Sequence, residues 1–146
     1  MKRIILFIFC GAMMSFIKWQ PNFGIAKRIA LQKHELILLN FSGSDWCGPC
    51  MRLHKEIFES PVFSKMADTS LVMINADFPR DRKHQLDAQT QKQNDALADK
   101  YNPTGIFPYT LLLDPQGNII KTWEGLPSET ADEFANDISA ICQSRK

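Results

Sequence analysis

Short apolar runs separated by polar stretches divide this chain into four candidate strands. Residues 36–41 and 71–77 are apolar runs bounded by polar residues, a pattern typical of buried strands. Residues 109–114 and 119–123 are two further β-type runs around Asp-Pro-Gln-Gly-Asn at 114–118, which is a strong hairpin signal. The pattern predicts a sheet in which the last two strands form a hairpin.

Helical spacing fills the stretches between these strands. Residues 23–31 alternate apolar and basic residues at helical spacing, and Pro49 suits the first turn of a second helix because its missing N–H is no loss there. Residues 95–101 predict a third helix, and Thr-Ala-Asp-Glu at 130–133 fits a capping box that opens a last amphipathic helix. The predicted order is α, β, α, β, α, β, β, α, with no repeat and no second domain.

The N-terminal segment has a different character from the rest of the chain. Lys2 and Arg3 precede 14 uncharged, mainly apolar residues, 4–17. This stretch is short for a membrane span of ~20 residues but suits the core of a signal peptide. An ordinary buried element is less favoured because of the basic flank. We expect a signal peptide or membrane anchor at 1–18, one domain at 19–146, and a location in the periplasm or cell envelope.

The net charge of the chain argues against nucleic-acid binding. The formal net charge is only +1, so we expect no nucleic-acid partner.

Residues 78–94 form a long polar segment of mixed charge, with a basic cluster at 80–84. This segment could be an insertion that selects substrates, but a solvated loop or surface helix is the favoured interpretation.

Two of the four cysteines form a motif. Cys10 falls in the leader, and Cys142 lies on a helical pattern where we expect a small buried hydrophobe. Cys47 follows an apolar run and opens a helix, where unpaired N–H groups and the positive end of the helix dipole favour a thiolate. Cys50 lies one turn later and can attack a mixed disulfide made by Cys47. The pair predicts a thiol–disulfide exchange site.

The neighbours of this motif allow other interpretations. Cys47, Cys50 and His54 have the spacing Cys-X2-Cys-X3-His, but a structural zinc site needs four ligands and no second pair is present, so no metal is expected. Asp45, His54 and Lys55 could tune Cys47. We favour the view that each is an ordinary solvated polar residue.

These features resemble the thioredoxin-fold family, and in particular the extracytoplasmic thioredoxin-like group related to the C-terminal domain of thiol:disulfide interchange proteins. The resemblance lies in Trp-Cys-Gly-Pro-Cys at 46–50, the preceding Phe-Ser-Gly-Ser-Asp at 41–45, Pro108 at a strand start, the hairpin and the closing helix. It covers residues 23–146. It implies an α/β fold with a central mixed β-sheet flanked by helices on both faces.

The same resemblance implies an enzyme, a protein dithiol–disulfide oxidoreductase outside the cytoplasm. Cys47 would be the nucleophile and Cys50 the resolving thiol, with Trp46, Gly48 and Pro49 shaping the site. The dipeptide Gly48-Pro49 resembles that of reducing members and favours a reductase. No cofactor is implied beyond the redox-active disulfide of the cysteines. The implied partners are proteins with disulfides or thiols, and a membrane or periplasmic thiol electron donor.

A second family element falls at Phe107 and Pro108. In the family the equivalent proline is cis and packs beside the cysteines, which leaves the backbone of the preceding residue free to pair with substrate. Residues 105–110 match that pattern, so Phe107 and Pro108 are predicted to bind substrate. A trans proline at a strand start is the alternative.

One departure concerns a buried aspartate on the strand before the motif, which is thought to help deprotonate the resolving cysteine. Here Asn40 or Phe41 occupies that position, and neither moves a proton as a carboxylate does. Glu56, Asp45 or water could substitute.

Two further functions remain open from the sequence. One is a non-catalytic module that keeps the fold to bind partner proteins or a metal. The other, narrower, is a thiol relay in cytochrome c maturation, which uses the same chemistry. Intact Cys47, Cys50, Gly48-Pro49 and Pro108 favour an active site over a retired one.

Overall fold

The computed structural model describes residues 18–145. The predicted signal peptide or anchor therefore lies outside the described residues except for Lys18. None of the helices between residues 18 and 145 has the length and apolar character that a bilayer crossing requires.

One five-stranded mixed sheet organises residues 18–145, with strand order β1-β3-β2-β4-β5. The strand β3 runs parallel to β1 and to β2, whereas β4 is antiparallel to β2 and to β5. The register of the terminal hairpin shifts between Leu112 and Leu113. The strands are β1 (Trp19–Gln20), β2 (Leu36–Ser42), β3 (Leu71–Asp77), β4 (Tyr109–Leu113) and β5 (Ile119–Glu124).

In the described part of the chain, five α-helices connect and cover these strands. They are α1 (Phe23–Lys33), α2 (Gly48–Arg52), α3 (Pro61–Ser70), α4 (Ala88–Tyr101) and α5 (Ala131–Gln143). A π-helical turn (Leu53–Phe58) continues α2, and a 3-10 turn (Arg82–His84) precedes α4. The predicted capping box is confirmed at Thr130 and Glu133. The helix predicted from residue 95 begins earlier, because the Asp87 side chain accepts the N–H groups of Gln89 and Thr90.

Alternate residues of β2 pack on opposite faces of the sheet, and all seven residues of this strand are buried. Leu36 and Leu38 belong to a core formed with the π-helical turn, α3 and α5. Ile37, Leu39 and Phe41 belong to a second core formed with α1 and α4. The predicted α/β fold, with helices on both faces of a mixed sheet, is therefore confirmed.

Candidate active site

Cys47 and Cys50 lie where β2 turns into α2. Cys47 is the N-cap residue of α2, and its Sγ accepts the backbone N–H of Cys50 at 3.2 Å. The two cysteines form a disulfide with their Cα atoms 5.2 Å apart. Because amide N–H groups at a helix start stabilise negative charge, this position favours a Cys47 thiolate once the disulfide is reduced.

Burial does not distinguish the two sulfur-bearing residues in this oxidised state, since Cys47 is 5% and Cys50 4% exposed. Gly48 and Pro49 between them are exposed, and Met51, at 48% exposure, adds an apolar group beside the motif. The short segment thus presents an apolar rim next to a bond that is itself mostly covered.

Trp46 is fixed by contacts from three parts of the chain. Its Nε1–H donates to the carbonyl of Phe78 at 2.7 Å, and its ring meets the ring of Phe107 edge-on at 5.4 Å. A Cβ atom placed on Gly43 would overlap the indole. Glycine at position 43 therefore allows the indole to lie against the turn that carries the cysteines.

We expect Gly43→Ala to displace the Trp46 indole and break its hydrogen bond to Phe78. The overlap should lower the free energy of unfolding by about 1–3 kcal/mol, the usual cost of overpacking. Urea unfolding followed by tryptophan fluorescence measures this change. Gly48→Ala is the matched control, because a Cβ there meets no atom within 4 Å. A loss of stability of similar size in both variants would contradict the packing argument.

Phe107 reaches the site through a braced loop. The Asn102 side chain donates to the Ile106 carbonyl at 2.8 Å and accepts the Ile106 N–H at 2.9 Å. The next peptide bond, Phe107–Pro108, is cis, and Pro108 is buried at the start of β4. The structure therefore brings Phe107, one of the predicted substrate-binding residues, against Trp46.

A groove of about 640 Å³ opens beside Trp46. Its lining comprises Trp46, Phe78, Pro79, Arg80, Gly105 and Phe107. Residues 78–80 begin the polar segment for which we favour a solvated loop or surface helix. They do form a loop, in which Phe78 and Pro79 are half-buried and Arg80 is exposed, and this loop lines the groove. In the parallel register Ser42 lies opposite Asp77, so the residues after β3 fall beside the cysteine turn. That pairing is the signal that could have found them.

Asp45 fixes the groove wall, the loop at residues 78–80 that lines one side of the groove. Its carboxylate accepts the N–H groups of Arg80 at 2.9 Å and Asp81 at 2.7 Å, and contacts the His84 ring at 3.3 Å. Its side chain is 9% exposed, so the expectation of a solvated Asp45 is wrong. The Arg80 N–H is the largest cause of a pKa lowered from the ordinary 3.8, and the Asp81 N–H and His84 add to it.

This lowered pKa makes a pH-dependent prediction. Because the pKa of Asp45 is lower in the folded chain, its stabilisation is present above about pH 4 and is lost as pH falls through the folded pKa. Asp45→Asn should therefore be less stable than wild type at neutral pH, with a smaller further loss on acidification. Urea unfolding across pH 2–7 tests this. Asp68→Asn, an exposed position on α3, should follow the wild-type profile; parallel profiles for wild type and Asp45→Asn would refute it.

The other polar neighbours of the motif face elsewhere. The His54 ring stacks on Trp19 with centroids 5.8 Å apart and contacts the Glu59 carboxylate at 3.1 Å. Lys55 is exposed. Within residues 18–145 no cluster of three or more histidine, cysteine, aspartate or glutamate side chains is arranged to hold a metal ion.

Asn40 is a buried amide, at 3% exposure, and belongs to a polar network inside the sheet. It accepts a hydrogen bond from Thr110 at 3.0 Å and donates to Asn75 at 2.8 Å. The two carboxylates considered as replacements for the family aspartate have other partners. Glu56 pairs with Arg52 on the surface, and Asp45 binds the groove wall.

The sequence of this chain matches one protein family and is similar to two named proteins. Residues 23–138 match the model of the thioredoxin-like domain family. The chain is 36% identical over 101 residues to the disulfide bond reductase DsbH of Chlamydia pneumoniae, covering 69% of this chain and 58% of DsbH. It is 29% identical over 129 residues to the thioredoxin-related protein DsbJ of the same organism, covering 88% of this chain but 36% of DsbJ. The chain thus spans less than two thirds of the length of either relative.

Solved structures agree with this placement. The structure of a DsbH oxidoreductase superposes with a TM-score of 0.77 at 27% identity, over 87% of this chain and 85% of that one. The oxidised C-terminal domain of Neisseria meningitidis DsbD superposes with a TM-score of 0.54 at 17% identity, over 80% of this chain and 89% of the domain. The second likeness is one of fold.

Proposed function

Because the chain belongs to the thioredoxin-like domain family, we propose that it is a thiol–disulfide oxidoreductase that reduces protein disulfides through Cys47 and Cys50. One observation carries the proposal most directly. Cys47 caps a helix with its sulfur on the Cys50 N–H, and the two residues lie close enough to bridge. A thiolate there and a second thiol within reach are what disulfide exchange requires.

The chemistry has two exchange steps. The Cys47 thiolate attacks one sulfur of a substrate disulfide, forming a mixed disulfide while the other substrate sulfur leaves as a thiolate and takes a proton from solvent. Cys50, after losing its proton, attacks the Cys47 sulfur and releases the second substrate thiol. The substrate gains two electrons and two protons, and Cys47–Cys50 is left oxidised. A dithiol protein must then reduce it again.

Two features support the reductive direction. The Gly48-Pro49 dipeptide resembles that of reducing members of the family, and the relative DsbH carries the name disulfide bond reductase. Substrate would enter the groove beside Trp46, which Phe107 lines, and would meet the Phe107–Pro108 segment there.

Two measurements on the purified protein test this function. With a dithiol reductant supplied, the protein should accelerate the reduction of insulin disulfides. Equilibration with thiol buffers should give a reduction potential of about −270 mV, which is typical of a reductant. A strong oxidant would instead have a potential of about −120 mV. If the protein accelerates insulin reduction but has the potential of an oxidant, the proposed direction of exchange is wrong. If it does not accelerate insulin reduction, the proposed function is contradicted.

We also propose that the protein works in the periplasm or cell envelope, with a membrane or periplasmic dithiol protein as electron donor. The basic and apolar residues 2–17 support this location. In cells expressing the protein, a maleimide that does not cross the inner membrane should label Cys47 after the outer envelope is permeabilised. Labelling only after complete lysis would contradict export.

A further inference from the structure

Arg80 places a guanidinium group directly over the Trp46 indole. Its Cζ atom lies 3.7 Å from the ring centroid, which is a close cation–π contact. Arg80 is exposed and lines the groove beside Trp46, the residue that precedes Cys47. A guanidinium stacked by one face keeps its N–H groups, which point outward in the plane of the group, for a ligand.

Both partners in this contact are fixed before any substrate arrives. Asp45 accepts the backbone N–H of Arg80, and Trp46 is oriented by its hydrogen bond to Phe78. The stacked side chain thus has fewer conformations to lose on binding than an arginine extended into solvent. A preorganised fork of N–H donors suits a carboxylate, which accepts two parallel hydrogen bonds.

The charge of Arg80 is not neutralised within the described chain. Among residues 18–145 the ion pairs involve other cations, at Arg52, Lys121 and two histidines. The two acidic residues nearest to Arg80 in sequence have other partners, since Asp77 accepts the hydroxyl groups of Ser42 and Ser44 and Asp81 accepts the Lys83 N–H. The Asp45 carboxylate accepts the backbone N–H groups of Arg80 and Asp81. Arg82 and Lys83 follow and are exposed, so residues 80–83 carry a net positive charge even with Asp81 among them.

We propose that Arg80 is a specificity residue that favours protein substrates with an acidic side chain next to the reacting cysteine. This inference rests on the proposed function, because it concerns which segments reach Cys47. The acidic side chain lies in the groove and receives the guanidinium N–H groups while its cysteine is positioned for attack. Arg80 takes no part in the sulfur chemistry.

The test uses short peptides whose single cysteine is activated as a disulfide with 4-thiopyridine. The Cys47 thiolate attacks the peptide sulfur, because the aromatic thiol is the better leaving group, and the released thiopyridone is followed by absorbance. Aspartate is placed in turn at each position flanking the cysteine, with asparagine and lysine peptides as counterparts. We expect the reduced protein to react about fivefold faster with the best aspartate peptide than with its asparagine counterpart, as suits a single exposed ion pair.

Arg80→Gln should bring that ratio close to one, whereas Arg82→Gln, which removes the same charge from the same loop, should leave most of it. Because each ratio is taken within one variant, a change in Cys47 reactivity cancels. High salt should also shrink the wild-type preference. A wild-type ratio near one, or equal slowing of all peptides by Arg80→Gln, would overturn the proposal while leaving the oxidoreductase intact. Failure of every peptide to react would instead count against the proposed function.

Discussion

Cys47→Ser should reduce insulin-disulfide reduction to the rate of the dithiol reductant alone. A serine hydroxyl at the start of α2 has no thiolate form to attack sulfur, whatever the helix amides do for a charge there. Cys50→Ser should keep the first attack and lose the second, so that substrate accumulates in a mixed disulfide with Cys47. Insulin turbidity measures the first result, and non-reducing electrophoresis with mass spectrometry measures the second.

Cys142→Ser controls for the general effect of removing a thiol. Cys142 is buried on α5, outside the motif, and its replacement should leave turnover within a factor of about two. Activity that survives Cys47→Ser would contradict the assignment of the nucleophile. If the Cys47→Ser, Cys50→Ser double variant bound client proteins normally and the wild type reduced no disulfide, a binding module would replace the enzyme.

The second large effect is one of stability. Phe134 on α5 is fully buried, with its ring centroid 5.0 Å from that of Trp123, 5.9 Å from Phe63 and 6.4 Å from Phe58. Phe134→Ala should lower the free energy of unfolding by about 3–5 kcal/mol, since it removes a large apolar side chain and leaves a cavity. Urea unfolding followed by circular dichroism measures this loss.

Ile119→Ala is the control for apolar truncation at a strand. Ile119 is 51% exposed at the start of β5, and its replacement should change stability by less than about 1 kcal/mol. Equal losses for both variants would mean that α5 does not anchor this core. Because Phe58 ends the helix that Cys47 opens, we also expect Phe134→Ala to lower the temperature at which disulfide reduction ceases.

Local signals predicted most of the fold. Strands β2, β3 and β4 are mainly apolar runs, the turn residues at 114–118 mark the hairpin to β5, and the capping box at Thr130 acts over three residues, so each can be read from neighbouring positions. The short strand β1 was not predicted, because Trp19–Gln20 is too brief for any periodicity and exists through its pairing with Met73 and Ile74.

The groove wall was missed for a different reason. The bond from Asp45 to the Arg80 amide joins residues 35 apart, and it depends on β2 and β3 ending at the same edge of the sheet. Nothing in the residues around Asp45 distinguishes it from an ordinary solvated carboxylate. Its partner is visible only once the strand order is known.

Cys50 and His54 are four residues apart, and a regular α-helix would place them on one face. The π-helical turn at Leu53–Phe58 bonds each N–H five residues back, as the Glu59 N–H does to the His54 carbonyl. His54 accordingly contacts Glu59 and Trp19. A single-sequence pattern carries no signal for such a turn.

The two edge strands of the sheet affect whether a bound polypeptide could pair with it. One edge strand, β1, has only two residues that another strand could pair with. The other edge strand, β5, carries Lys121 and Glu124 and pairs with β4 through a shifted register. Short, charged or irregular borders discourage a foreign strand from joining a sheet. Under the proposed function, a partly unfolded polypeptide brought in for reduction would therefore be discouraged from pairing with the edge of this sheet.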